Sequence, residues 1–397
     1  MSVSAACPPF SGANTLSLAS LRRRITSIDA LRGLVMLIML LDHVRETVYL
    51  HRQVSDPMDV SSTPPELFFS RLAAHFCAPI FVFLTGLSAW LYAHPAAGPM
   101  RSARGFLLKR GLFILVLELT IVSYAWTAQV PWPIYLQVMY AIGMSMVVLG
   151  LVHTWPPKVL AAIGLLIVGG HNLLAGVQVS ADNAWHPWWT LLLQRGMLID
   201  QGGLFVKVSY PLLPWIGVIL LGYVAGPLFA SRVDPAWRRR TLLAMGLGCW
   251  AVLVLLRGSN LYGENLPWQV QATGVQTVMD FLNFTKYPPS LDFVLMALGG
   301  AFLALALFEP MDNAFTRMVS TFGGAPLFYY VGHLLLLQAM YQVLLAVVGP
   351  NVGTRFGFTA MWQVWLLTLV LIPVLYGPCK AFAAFKRRST QAWVRYL

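Results

Sequence analysis

Apolar residues fall in ten long runs, at about 27–49, 75–94, 106–126, 134–152, 159–177, 211–230, 241–257, 291–308, 326–348 and 361–383. A helix needs roughly 20 apolar residues to cross a bilayer. The pattern therefore predicts an all-α polytopic membrane protein with about ten transmembrane helices. The stretch 178–210 is long and partly apolar, with Trp185, Trp188, Trp189, Leu191, Leu192 and Leu193. It reads as an interfacial helix or a short eleventh membrane element. Pro211 and Pro214 enter the next run in its first turns, where proline costs little. Residues 51–74 and 258–290 are long, polar and punctuated by proline, and are expected to line any cavity opening on their side.

Composition agrees with this pattern: 58% of residues are hydrophobic and 11% charged, where soluble domains average about 25% charged. The net charge of +12 comes from short basic clusters beside the runs. Arg22, Arg23 and Arg24, then Arg101, Arg104, Lys109 and Arg110, then Arg238, Arg239 and Arg240, and finally Lys386, Arg387 and Arg388 all lie on alternate connections. By the positive-inside rule both termini belong in the cytoplasm. Basic clusters in such positions suit anionic lipid, and no nucleic-acid partner is expected. Trp126, Trp132, Trp155, Trp185, Trp188, Trp189, Trp268, Trp362 and Trp393 lie near run ends, as interfacial anchors do. Cys7, Cys77, Cys249 and Cys379 are scattered without a metal or disulfide spacing, and no metal is predicted. The expected organisation is a flexible cytoplasmic segment over 1–24, a single transmembrane domain over 25–385 and a basic cytoplasmic tail over 386–397. A homodimer is compatible with it.

The first run carries the chemistry. Asp29 and Arg32 share a helix face at i and i+3, beside Gly33. They are either a pair closing the helix end or an anion site in which Asp29 holds Arg32 toward a phosphate. His43 lies roughly 16 Å farther along at 1.5 Å per residue, near the outer half of the span, and is a candidate general base. Asp42 is adjacent but points about 100° away from it; Glu46, three residues on, is the better-placed orienter. His75 opens the second run at a similar level and is a rival base. Lys286, in Thr285-Lys286-Tyr287-Pro288-Pro289-Ser290, is a candidate for neutralising a bound charge. Tyr329 and His333, at i and i+4 in the inner half of the ninth run, are candidates for lining a polar channel. Glu118 is a buried carboxylate expected to pair with one of these basic groups. Charge placed this deep in a membrane usually has a partner or a function.

Several motifs occur in order along almost the whole chain. They are Ser27-Ile28-Asp29-Ala30-Leu31-Arg32-Gly33, Leu41-Asp42-His43, His75-Phe76-Cys77-Ala78-Pro79, Tyr210-Pro211-Leu212-Leu213-Pro214-Trp215, Lys286-Tyr287-Pro288-Pro289-Ser290-Leu291 and Gly323-Gly324-Ala325-Pro326 through His333. In these the chain resembles the bacterial heparan-alpha-glucosaminide N-acetyltransferase-like group of the transmembrane acyltransferase superfamily. The resemblance implies an acyltransferase of the bacterial inner membrane. It would move an acetyl group from cytoplasmic acetyl-CoA, as co-substrate, to a glycan or small amine or hydroxyl acceptor on the far side. Asp29 and Arg32 match the family's D-x-x-R-G signature. The resemblance makes His43 the candidate for the essential histidine, with His75 as the alternative. The competing class is a small-solute or lipid transporter without acyl chemistry, in which intramembrane charges and proline breaks are equally at home.

Overall fold

A computed structural model describes residues 13–391 together with 394 and 396, with side chains from Thr26 onward. Cys7 and Trp393 lie outside the described residues, as does the start of the segment expected to be flexible. The first run forms α1 (Ala13–Val48), which already begins inside that segment. The helix is long because nothing in it breaks the i→i+4 ladder: no proline falls between Ala13 and Val48. The chain then forms α2 (Pro65–Ala73), a tight turn at Ala74–Phe76 and α3 (Cys77–Ala93). Pro79 sits in the first turn of α3, where its missing N–H matters least, so the discontinuity precedes it.

The third run is interrupted. It comprises α4 (Arg104–Leu117), a π-helical turn at Glu118–Val122 and α5 (Ser123–Thr127). The strand β1 (Ile134–Leu136) then precedes α6 (Val138–Val152), and α7 (Pro157–Gly170) follows. The stretch 178–210 forms no helix long enough to cross a membrane. It holds the short helix α8 (His186–Leu192) and the hairpin β2 (Gly196–Gln201) and β3 (Leu204–Val208). β3 pairs antiparallel with β2 and parallel with β1, giving a small three-stranded sheet. Gly202 and Gly203 both adopt positive φ, which lets a two-residue turn close the hairpin. Alternation in Leu204-Phe205-Val206-Lys207-Val208 is the strand signal that aromatic and leucine content had masked.

The remaining helices are α9 (Leu213–Ala225), α10 (Pro235–Ser259), α11 (Gly274–Phe281), α12 (Leu291–Phe308), α13 (Ala314–Gly323), α14 (Pro326–Val348) and α15 (Met361–Arg388). Each of the ten predicted runs contains a helix, the fourth beginning on β1. Among the described residues, six helices are long and apolar enough to cross a membrane: 65–93, 157–174, α10, α12, α14 and α15. Shorter apolar helices occupy 138–152 and 213–229. The protein is a polytopic helical membrane protein.

α1 occupies the centre and packs against α13, α14, α15, α3 and α12. Its contact with α13 is backbone against backbone. A Cβ at Gly33 would collide with the Val319 carbonyl, and one at Gly323 with the Asp29 carbonyl. Substituting Gly33 by valine should lower the unfolding midpoint in detergent, because overpacking typically costs about 1–3 kcal/mol and backbone cannot retreat as a side chain can. Gly332→Ala, on α14 in open space, is the control and should hold or slightly raise the midpoint, since alanine favours a helix over glycine by roughly 0.5–1 kcal/mol. Equal behaviour of the two variants would refute the close approach.

The polar segments 51–74 and 258–290 are packed against one another. The Asp56 carboxylate accepts the Tyr287 N–H at 2.8 Å, and Asn283 bridges the Met58 backbone from both sides at 2.9 and 2.6 Å. Buried Arg257 donates to the carbonyls of Leu266, Asp280, Phe281 and Asn283. At the opposite end, buried Arg238 pairs with Glu309.

Candidate functional site

Two cavities flank α1. The first, about 410 Å³, is lined along one side by Asp29, Arg32, Met39, Asp42 and His43 of α1. Its walls include Ser88 of α3, Arg110 of α4, Gly323 and Lys386. The second, about 800 Å³, is lined by residues such as Glu46, Arg71, Trp126, Arg195, Lys207 and Arg355. Both fall in the size range of small-molecule sites, roughly 300–1,000 Å³. They share Asp42, His43, Val138, Tyr210, Lys286 and Tyr330. His43 therefore stands where the two cavities meet.

The end of the first cavity near Arg32 is electropositive. Arg32 donates to Asp29 at 2.8 Å, to Ser88 Oγ at 3.1 Å and to the Gly323 carbonyl at 3.2 Å. The helix repeat puts Asp29 and Arg32 on one face, and the glycine contact with α13 brings the carbonyl within reach. Arg110 and Lys386 join them, while Asp29 is the only carboxylate in that part of the lining among the described residues. The local excess of cations can receive a polyanion. Neither Arg110 nor Lys386 was singled out in the sequence beyond its basic cluster, since they come from α4 and α15 and only tertiary packing unites them with Arg32.

His43 is not oriented by Glu46. Its Nδ1 lies 2.7 Å from His333 Nε2, with the two ring planes 11° apart. His333, in the first half of α14, is thus brought to the level of His43. Trp126 and Tyr330 stand edge-on to the His43 ring at 5.1 and 6.0 Å between centroids. Trp126 therefore faces the site, not lipid, because the π-turn at Glu118–Val122 resets the rotation of α5. Trp268 likewise turns inward and donates to the Arg257 carbonyl at 2.8 Å.

The carboxylates beside His43 belong to a charge network. Buried Arg45 contacts Asp42 at 2.8 Å and Glu46 at 2.5 Å; Arg71 lies 3.8 Å from Glu46 and Lys286 lies 3.7 Å from Asp42. Three cations surround two carboxylates, which draws Glu46 away from the imidazole. Among the described residues Glu118 has no basic partner. Its Oε1 accepts the Gln137 N–H at 2.6 Å, tying the π-turn to the start of α6.

Two further candidates lie elsewhere. His75 is buried on Phe293, outside the residues lining either cavity, and neither ring nitrogen has a hydrogen-bond partner among the described residues. Tyr329 donates to the Met36 carbonyl at 3.2 Å and supports the α1–α14 contact. Its neighbour Tyr330 lines both cavities, and its buried hydroxyl has no hydrogen-bond partner among the described residues. At the rim of the second cavity, partial burial and adjacent Arg52 hold His51 below the ordinary imidazole range. Among the described residues no group of three or more His, Cys, Asp or Glu side chains could hold a metal ion.

No curated protein matches the chain. The family model described as heparan-alpha-glucosaminide N-acetyltransferase, catalytic, matches residues 24–261, more than half of it. That span carries Arg32, His43, Arg110 and Trp126, whereas Lys286, Tyr330 and His333 lie beyond it. With its apolar helices and this match, the chain belongs to the heparan-alpha-glucosaminide N-acetyltransferase catalytic family and is a multi-pass membrane acetyltransferase of that kind.

Proposed function

We propose that the protein transfers an acetyl group from cytoplasmic acetyl-CoA, held in the first cavity, to a sugar hydroxyl or amine acceptor entering the second from the periplasmic side. The supporting observation is that the two cavities meet at His43, with the Arg32, Arg110 and Lys386 cluster in the first of them. In this reading the chain crosses a bacterial inner membrane ten times with both termini inside.

The residues present fit the donor. Arg32, Arg110 and Lys386 suit the phosphates of coenzyme A, and the apolar lining from Met39 to Phe81 and Ile142 suits its slender acyl-bearing arm. His43 accepts the proton of the acceptor hydroxyl or amine as that atom attacks the thioester carbonyl. The carbonyl oxygen gains negative charge as it is attacked. The Tyr330 hydroxyl and the Lys286 ammonium are the donors positioned to stabilise it. As the C–S bond breaks, the proton held on His43 passes to the departing sulfur. Asp42, bound to Arg45 and Lys286, keeps a negative charge beside the transient imidazolium.

Binding of acetyl-CoA to the detergent-purified protein tests the donor half. Arg32→Ala should raise its Kd about tenfold to a hundredfold, since a hydrogen bond to a charged group contributes ~1.5–3 kcal/mol and each 1.4 kcal/mol is tenfold. Titration calorimetry reads this directly. Undiminished binding in the variant would remove Arg32 from the donor site. Absence of binding by the unaltered protein, with solute accumulation in reconstituted vesicles, would replace transfer by transport.

A further inference from the structure

We propose that His333 is a positioning residue that locks His43 in one tautomer, with the proton on Nδ1 and the lone pair on Nε2. The inference rests on the reading of His43 as the proton acceptor, and concerns the group that prepares it. His333 Nδ1 lies 2.7 Å from the Tyr329 carbonyl, one helical turn earlier on α14. A carbonyl oxygen only accepts, so His333 Nδ1 carries a proton and donates it. A neutral imidazole with its proton on Nδ1 has its lone pair on Nε2. His333 Nε2 therefore accepts, and the atom facing it at 2.7 Å, His43 Nδ1, must donate. The chain Tyr329 carbonyl, His333, His43 has one consistent direction, and it leaves Nε2 of His43 as the nitrogen available to an acceptor.

The opposite polarity would require His333 to carry protons on both nitrogens. That places a cation on a ring with no measurable exposure, packed between His43 and Tyr329 and, among the described residues, without a carboxylate in hydrogen-bond contact. An uncompensated buried charge costs several kcal/mol, whereas the neutral arrangement gives a partner to both nitrogens of His333 and to Nδ1 of His43. The two ring planes lie 11° apart, so the N–H of one points in plane at the lone pair of the other. Once His43 accepts a proton at Nε2, its Nδ1–H···Nε2 bond to His333 becomes charge-assisted and strengthens. The dyad thus favours the protonated state reached during transfer without itself taking the proton.

The test pairs a spectroscopic reading with kinetics. In protein labelled with ¹⁵N-histidine, the His43 resonances are identified by their loss in His43→Asn. Wild-type Nδ1 should show the shift of a protonated nitrogen and Nε2 that of an unprotonated one. His333→Leu should convert His43 to a mixture of tautomers and lower kcat on the order of tenfold to a hundredfold, the usual effect of removing an outer-shell orienting partner, with the Kd for acetyl-CoA unchanged. His333→Gln, whose amide oxygen can accept from His43 Nδ1, should restore the tautomer and most of kcat. A wild-type His43 protonated on Nε2 overturns the proposal, as does a His333→Leu variant with unaltered tautomer and kcat. The tautomer is read without turnover. Hence a protein that shows it but neither binds nor consumes acetyl-CoA would refute the acetyltransfer reading and leave the dyad standing.

Discussion

Replacing His43 by alanine is expected to lower acetyl transfer by about 10²–10⁴-fold, the usual contribution of a positioned general base. The variant should still insert, fold and bind acetyl-CoA, because His43 touches the junction of the cavities and not the Arg32 cluster. Measured in reconstituted vesicles with labelled acetyl-CoA, the loss should fall on kcat. The comparison that discriminates is His75→Ala. That side chain is buried against Phe293 and lines neither cavity, so its truncation should act on stability and spare the chemical step. Full transfer by His43→Ala, or a loss of kcat confined to His75→Ala, would reverse the assignment.

The largest expected loss of stability is at Arg45. Its side chain is 2% exposed and holds Asp42 and Glu46 together. Arg45→Met would strand two carboxylates among Arg71 and Lys286, which lie farther away at 3.8 and 3.7 Å. Breaking a buried ion pair from one side costs about 3–5 kcal/mol. Arg45→Met should therefore denature well below the wild type in a thermal scan in detergent. Adding Asp42→Asn removes one of the stranded charges and should recover part of the deficit. If the double variant is no better than the single, the penalty is not electrostatic.

The helical skeleton was legible because a membrane imposes one solution on an apolar run: every backbone group must be satisfied within the helix. Charges in the first run were equally legible as a place of interest, since nothing about lipid explains Asp29, Arg32 and His43. What escaped were relations across long sequence separations. Pairing of His43 with His333 spans 290 positions, and nothing local to either residue announces it. Glu46 was the natural orienter by helix spacing, but spacing says nothing of Arg71 arriving from α2 to compete for it. The π-turn at Glu118–Val122 was invisible for a related reason: one extra residue in a helical turn leaves the hydropathy pattern almost untouched while rotating Trp126 onto the site. In 178–210, tryptophan and leucine counts outweighed the period-two alternation that marks β3.

Two chambers that share the side chains of Asp42, His43, Tyr210, Lys286 and Tyr330 have a consequence for how matter would cross this protein. If only a two-carbon fragment passes, neither the bulky nucleotide carrier nor the acceptor has to leave its own compartment. Rocking between inward-open and outward-open shapes then becomes unnecessary. The bundle can stay rigid, and the energy of the thioester alone drives the fragment outward.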